Sequence, residues 1–268
     1  MSMNPDRRFT KRYRDTAACQ TALANYRWLA TLQATVGLPR LLATAPRQLV
    51  FERVRGRHAI PADLVVLARA LGDLHGAAHA TALRHARLDR AYRTDAGHLI
   101  PDFVHTRLPV LQDRLANFVV PAPSLDLAEA TQLLRATAGG PAALYKDANP
   151  RNFLLTADRV IIVDADDLTL APFGYDLAKL VVTLAMTHGP LSTTAIHQAI
   201  DAYDQAACRH HCGLSNISLA ELLAWAEIHH ILTSPYLGQH GYHHGWHTLR
   251  PPLATAQLRL QDSASSWP

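Results

Sequence analysis

Hydrophobic spacing divides the chain into a short opening unit and a longer helical one. Arg8 to Tyr13 alternates weakly and reads as a strand, and Thr16 to Leu32 follows as a helix rich in Ala and Leu that Gly37-Leu38-Pro39 terminates. Arg47 to Val54 is β-branched and aromatic enough for a second strand, broken by Arg55-Gly56. Pro61 and Asp63 then open a helix whose Leu64, Leu67, Leu71, Leu74 and Ala78 share one face. Residues 81–108 are poorly periodic. Pro109 to Phe118 reads as a helix, and Ser124 as the N-cap of another that Gly139-Gly140 stops.

Beyond Ala143-Leu144-Tyr145 the texture changes. Asp147 to Arg151 is a polar turn containing Pro150, and Phe153-Leu154-Leu155 and Val160 to Val163 are two short strands joined by a turn at Asp158. This hairpin presents carboxylates at one rim, because Asp164 follows the second strand directly. From there the chain predicts helices over Tyr175 to Thr187, Thr193 to His210 and Ser218 to Leu232, the last with a capping-box start at Ser218 and Glu221. Pro251-Pro252 begins a tail without a clear pattern, and no internal repeat is visible.

Composition narrows the class. The 268 residues are 49% apolar and 18% charged, which is ordinary globular usage and excludes a disordered chain. The formal charge of +4 suits an anionic ligand such as a nucleotide and is too small to imply a nucleic-acid partner. Arg53, Arg55 and Arg57 form a basic run without interleaved aromatics, and read as a solvated turn. Cys19, Cys208 and Cys212 are an odd set, residues 1–13 lack an apolar signal core, and no stretch is long and apolar enough for a membrane helix; the expectation is a reduced, cytoplasmic protein. Cys208, His210, His211 and Cys212 invite a zinc reading but have no second pair at the usual spacing, so a helix end is favoured. The histidines at 240, 243, 244 and 247 read likewise as a solvated loop. His229 and His230 read by default as helix-surface residues, with the wall of an acceptor pocket as the alternative.

The chemistry concentrates between Tyr145 and Asp176. Phosphoryl transfer asks for a divalent cation on the phosphates, a carboxylate at the acceptor hydroxyl and rigid placement. An Asp and an Asn five residues apart on one loop supply a base and a metal ligand, and an Asp after the next hairpin supplies a second ligand. The stretches Tyr145-Lys146-Asp147-Ala148-Asn149-Pro150-Arg151-Asn152, Val163-Asp164 and Asp176-Leu177-Ala178, in that order, resemble the aminoglycoside phosphotransferase and choline-kinase-like family. The resemblance is weaker toward Lys11 and toward Leu71 to His79, which is similar to that family's first C-lobe helix.

The resemblance implies an α+β, protein-kinase-like two-lobe fold, with a reduced N-lobe over residues 1–54 and a helical C-lobe over 55–268. It implies that Asp147 is the catalytic base, that Asn152 and Asp164 hold Mg²⁺, and that Asp176 braces the loop. Tyr145 stands where the family has His. Lys11 would meet the phosphates of ATP, or of GTP in its place. Phe51, Glu52, Arg53 and Val54 would form the hinge beside the base. Arg151 would touch phosphate or the substrate, a small hydroxylated metabolite or antibiotic. Asp166 and Asp167 compete with Asp164. No Glu in Thr16 to Leu32 is available to pair with Lys11, Gln20 being the nearest polar stand-in. The alternative is therefore an inactive pseudokinase that binds nucleotide or a protein partner.

Overall fold

The computed structural model describes residues 7–117, 119–214 and 216–251; Phe118, expected to end a helix, and the tail from Pro252 lie outside these. Strand β1 (Arg8–Arg12), helix α1 (Thr16–Leu29), β2 (Leu41–Ala45) and β3 (Gln48–Glu52) open the chain. The strands form an antiparallel sheet in the order β1-β3-β2, with Lys11 opposite Leu49. The Asp15 side chain caps α1 by accepting the Ala18 N–H at 2.8 Å. Cys19 and Ala22 of α1 pack on Leu49 as a small apolar cluster of their own.

After β4 (Arg57–His58) and a 3₁₀ turn at Pro61–Asp63, α2 (Leu64–Ala78) runs through the centre of the main core. It packs on α6 (Thr193–Cys208). Gly72 and Gly76, one turn apart, permit this closeness: a Cβ on Gly72 would lie 2.2 Å from the Tyr203 carbonyl oxygen. A two-stranded ribbon of β5 (Tyr92–Arg93) and β6 (Leu99–Ile100) leads to α3 (Val104–Asn117) and α4 (Leu127–Ala136). The cap of α4 is Asp126 and not the expected Ser124, because Asp126 and Glu129 satisfy each other's backbone N–H groups at 2.8 and 2.9 Å.

The site-bearing strands come next: β7 (Ala142–Tyr145), β8 (Phe153–Leu155), β9 (Val160–Ile162) and β10 (Thr169–Pro172). The expected hairpin is present, with Phe153 opposite Ile162 and Leu155 opposite Val160. Its outer edge takes Gly37, which exchanges backbone hydrogen bonds with Val160 and Ile162 and so ties the segment after α1 to the hairpin. Strand β10 pairs with β7, setting Thr169 opposite Tyr145. Helices α5 (Tyr175–His188), α7 (Leu219–Thr233) and α8 (Trp246–Leu249) complete the helical part, with α5 against α7. Among the described residues no helix is long and apolar enough to cross a membrane.

Candidate active site

The loop after β7 is held from below. Asp176, in the first turn of α5 and fully buried, accepts the backbone N–H of Lys146 on one carboxylate oxygen at 3.0 Å and that of Ala148 on the other at 2.8 Å. Behind it His75 stands 3.7 Å away through Nε2, and its Nδ1 meets the Tyr203 hydroxyl at 2.6 Å. The residue between the two clamped amides is Asp147, at φ 61°, a left-handed conformation that Asp tolerates better than most L residues. Its side chain is 41% exposed.

Three groups surround the Asp147 carboxylate. The Tyr145 hydroxyl donates to Oδ1 at 3.1 Å, Asn152 Nδ2 lies 3.4 Å from Oδ2, and Lys179 Nζ lies 3.5 Å from Oδ1. Burial holds the Tyr145 hydroxyl well above the usual tyrosine range, so it remains a donor to the carboxylate. Asn152 Nδ2 also donates to the Asp147 carbonyl at 2.9 Å, which leaves Oδ1 as the atom able to bind a cation.

The hairpin brings the second acid alongside. The Val163 N–H donates to the Asn152 carbonyl at 2.9 Å, so Asp164 emerges next to Asn152, again at a φ of 61°. Lys11 reaches across from β1 and pairs with both Asp164 and Asp166, the latter at 2.7 Å. Asp166 is further held by the Tyr13 hydroxyl at 3.2 Å and, through its carbonyl, by Asn25. Burial pulls the Lys11 ammonium down, but the hydrogen bonds and charges of Asp164 and Asp166 outweigh it and leave the group raised. Burial and then the charges of Asp166, Asp164 and Asp147 push the Asp167 carboxyl up. Asp166 thus shares Lys11 with Asp164. Gln20, the suggested stand-in partner, is exposed.

Between β1, β3 and the hairpin lies a cavity of about 500 Å³. Phe9, Tyr26, Leu38, Phe51, Leu154 and Ile162 make its apolar walls, and Lys11, Asn152, Asp164 and Asp166 its polar end. Glu52, Arg53 and Val54 also line it. The amides of Glu52 and Arg53 are engaged by the Arg40 and Arg7 carbonyls, both at 2.8 Å, so these two N–H groups are not free to meet a base. Arg151 lines the cavity as well and packs on Gly241, where a Cβ would come within 2.5 Å of the guanidinium. The neighbouring Asn149 donates to the Tyr242 hydroxyl at 2.8 Å, joining the loop after β7 to the His-rich segment before α8.

Two lysines escaped the reading of the sequence. Lys146 is buried, with its ammonium 4.7 Å from the centre of the Phe153 ring and 3.4 Å from the Val163 carbonyl. Burial pushes it down to about 8, against the opposing pull of Asp176, Asp147 and Asp164. Lys179 lies three residues after Asp176 on α5, and that spacing, which sets both on one helix face, was the available signal. His229 and His230, read as helix-surface residues, are both buried. His229 Nε2 bonds the Tyr175 carbonyl at 2.9 Å, and its ring stacks on Tyr145 with centroids 6.1 Å apart.

Among the described residues no three His, Cys, Asp or Glu side chains form a ready metal cage. At the Cys208–Cys212 helix end, His210 Nε2 meets Asp73 Oδ1 at 2.9 Å. The oxygens at the cavity's polar end, two carboxylates (Asp164, Asp166) and Asn152 Oδ1, suit Mg²⁺, which is commonly held by one or two carboxylates and completes its shell with phosphates and water.

Residues 5–211 match the sequence pattern of a family described as the phosphotransferase enzyme family. Among solved structures, the chain is similar to an aminoglycoside-3'-phosphotransferase of type VIII, at 21% identity over 84% of each chain with a TM-score of 0.50. It is similar to aminoglycoside phosphotransferase APH(3'')-Id of Streptomyces rimosus in complex with ADP and streptomycin, at 16% identity, 84% of this chain, 87% of that one and a TM-score of 0.52. The amicoumacin kinase hAmiN in complex with AMP-PNP, Ca²⁺ and Ami gives 15% identity, 87% and 78% coverage and a TM-score of 0.54. At these identities the likeness establishes the protein-kinase-like fold. No protein of curated function matches the sequence.

Proposed function

The chain belongs to the phosphotransferase enzyme family, and from that membership we propose that it moves the γ-phosphate of ATP to a hydroxyl of a small molecule, with Asp147 as the base. The observation that carries this reading is the convergence of Asp147, Asn152 and Asp164. Asn152 is bonded to Asp147 through both the carbonyl and the carboxylate, and to the residue before Asp164 through its own carbonyl. Asn152 and Asp164 both line the end of the cavity where Lys11 sits.

The apolar walls receive the nucleobase, and Lys11 turns to the phosphates. Asn152 Oδ1 and Asp164, with Asp166 beside them, would hold Mg²⁺, whose charge would offset that of the phosphates. The acceptor hydroxyl lies against Asp147. Its oxygen forms a bond to the γ-phosphorus, its proton passes to the Asp147 carboxylate, and the bond from phosphorus to the β–γ bridging oxygen breaks to release ADP. Tyr145 and Asn152 fix the orientation of the base while this happens.

A weakly cationic acceptor, such as a nucleoside, a sugar or a peptide antibiotic, suits the site better than a polycationic sugar. The charged neighbour of Asp147 is a lysine, where a polycation would need a further carboxylate. A protein that binds nucleotide without transferring phosphate is the second reading, motivated by an α1 that has no acidic residue to pair with Lys11.

Mg²⁺-dependent ATP consumption across a panel of hydroxylated acceptors decides between them, with Asp147→Asn as the control. Turnover that vanishes in Asp147→Asn is expected. Nucleotide binding with no turnover on any acceptor favours the second reading, and no nucleotide binding at all overturns both.

A further inference from the structure

Lys179 carries an ammonium group beside Asp147 with donors to spare. It and Asp176 lie on the same face of α5, and the pair divides its work on one loop: Asp176 takes the amides on either side of Asp147, and Lys179 addresses the side chain. The Lys179 side chain is only 10% exposed, yet its one ionic partner among the described residues is Asp147 Oδ1 at 3.5 Å, longer than a good charged hydrogen bond. An ammonium carries three N–H donors, and nearly buried donors are normally matched. His229, whose ring feels the Lys179 charge, is no counter-ion, since an imidazole is neutral or cationic. Asp147 Oδ1 is meanwhile already served by the Tyr145 hydroxyl.

We propose that Lys179 is a further catalytic residue, whose ammonium binds a non-bridging oxygen of the phosphoryl group during transfer. The proposal rests on the phosphotransferase reading above. The attacking oxygen must lie within about 3 Å of the Asp147 carboxylate and about 3–3.5 Å from phosphorus. A donor 3.5 Å from that carboxylate therefore borders the space the transferring group crosses. In the loose transition state negative charge is spread over the three non-bridging oxygens, and a fixed cation there acts at the moment of reaction. The bond made and the bond broken are those already described; Lys179 neither gains nor loses a proton.

The test uses calorimetry on the whole chain, comparing Mg²⁺–ADP alone with Mg²⁺–ADP plus fluoroaluminate, which mimics the phosphoryl group in flight. The proteins are wild type, Lys179→Met and Lys179→Arg, and their melting temperatures establish that all are folded. Wild type should bind the fluoroaluminate complex more tightly than ADP. Lys179→Met should lose at least about tenfold of that gain while ADP affinity stays within about twofold, and Lys179→Arg should keep most of it. Lys179→Gln supplies the same comparison should the Met variant fail to fold. A full gain retained without the charge overturns the proposal, as does the absence of any gain in wild type. Failure of wild type to bind ADP at all overturns the phosphotransferase reading itself.

Discussion

The ammonium of Lys11 on the first strand sits on the carboxylate of Asp164, 153 positions further along the chain. A charge from the small sheet and a charge from the hairpin therefore meet at one end of the cavity, and Asp166 joins them. The lysine consequently does not depend on a carboxylate from α1, which has none.

Lys11→Met should raise the KM for ATP by about tenfold, the equivalent of one charged contact of about 1.4 kcal/mol. The same variant should change unfolding free energy by under about 1 kcal/mol, since the pair is partly open to water and screened. Steady-state kinetics and denaturant unfolding on the same preparation check both halves.

Tyr145→Phe removes the hydroxyl that orients Asp147 but keeps the ring between Tyr175 and His229. One lost hydrogen bond of about 1 kcal/mol predicts about a fivefold fall in kcat. Nucleotide affinity should not move, because Tyr145 does not line the cavity. Comparing kcat with the dissociation constant of ADP separates the two effects.

Asp176→Ala deletes a buried carboxylate that holds two backbone amides. The two charge-assisted bonds predict a loss of about 3 kcal/mol, and roughly 6–12 °C in melting temperature for a domain of this size. Activity should collapse as well, since the loop that carries Asp147 loses its support. Calorimetric melting and turnover measure these together.

Acid should weaken the fold through its buried histidines. Burial holds His79, His98, His229 and His230 below the ordinary histidine value. As pH falls below about 6.5, the unfolded chain takes up protons that these folded rings refuse, so stability present above that value is lost on acidification. His229→Gln should flatten the slope of unfolding free energy against pH between 7 and 5 by up to about 1.4 kcal/mol per unit. An unchanged slope would show that His229 does not contribute to it.

The loop, the hairpin and α5 were legible because their signals are local. Asp147 and Asn152 share one turn, Asp164 follows an apolar run directly, and Asp176 opens a helix. Strand β10 was not legible: Thr169–Pro172 is four residues ending in proline, and only its pairing with β7 makes it a strand. Strand β2 was missed for a related reason, since Leu41–Ala45 does not alternate and takes its form from β3, across a register shift. The meeting of Lys11 with Asp164 and of Asn149 with Tyr242 depends on how distant segments dock, for which no neighbouring residue gives a signal. Lys146 was passed over because a lysine in a polar turn is ordinarily solvated, whereas here Phe153 and the Val163 carbonyl enclose it.

Asp147 and Asp164 share the same unusual backbone twist. Asparagine adopts that twist as comfortably as aspartate and differs by a single side-chain atom type. On the roles proposed for these residues, a one-base change from an Asp codon to an Asn codon would silence the chemistry and leave the architecture standing. Descendants that keep the cleft while abandoning turnover are a short mutational step away, and a scan for chains with Asn at either place would find them.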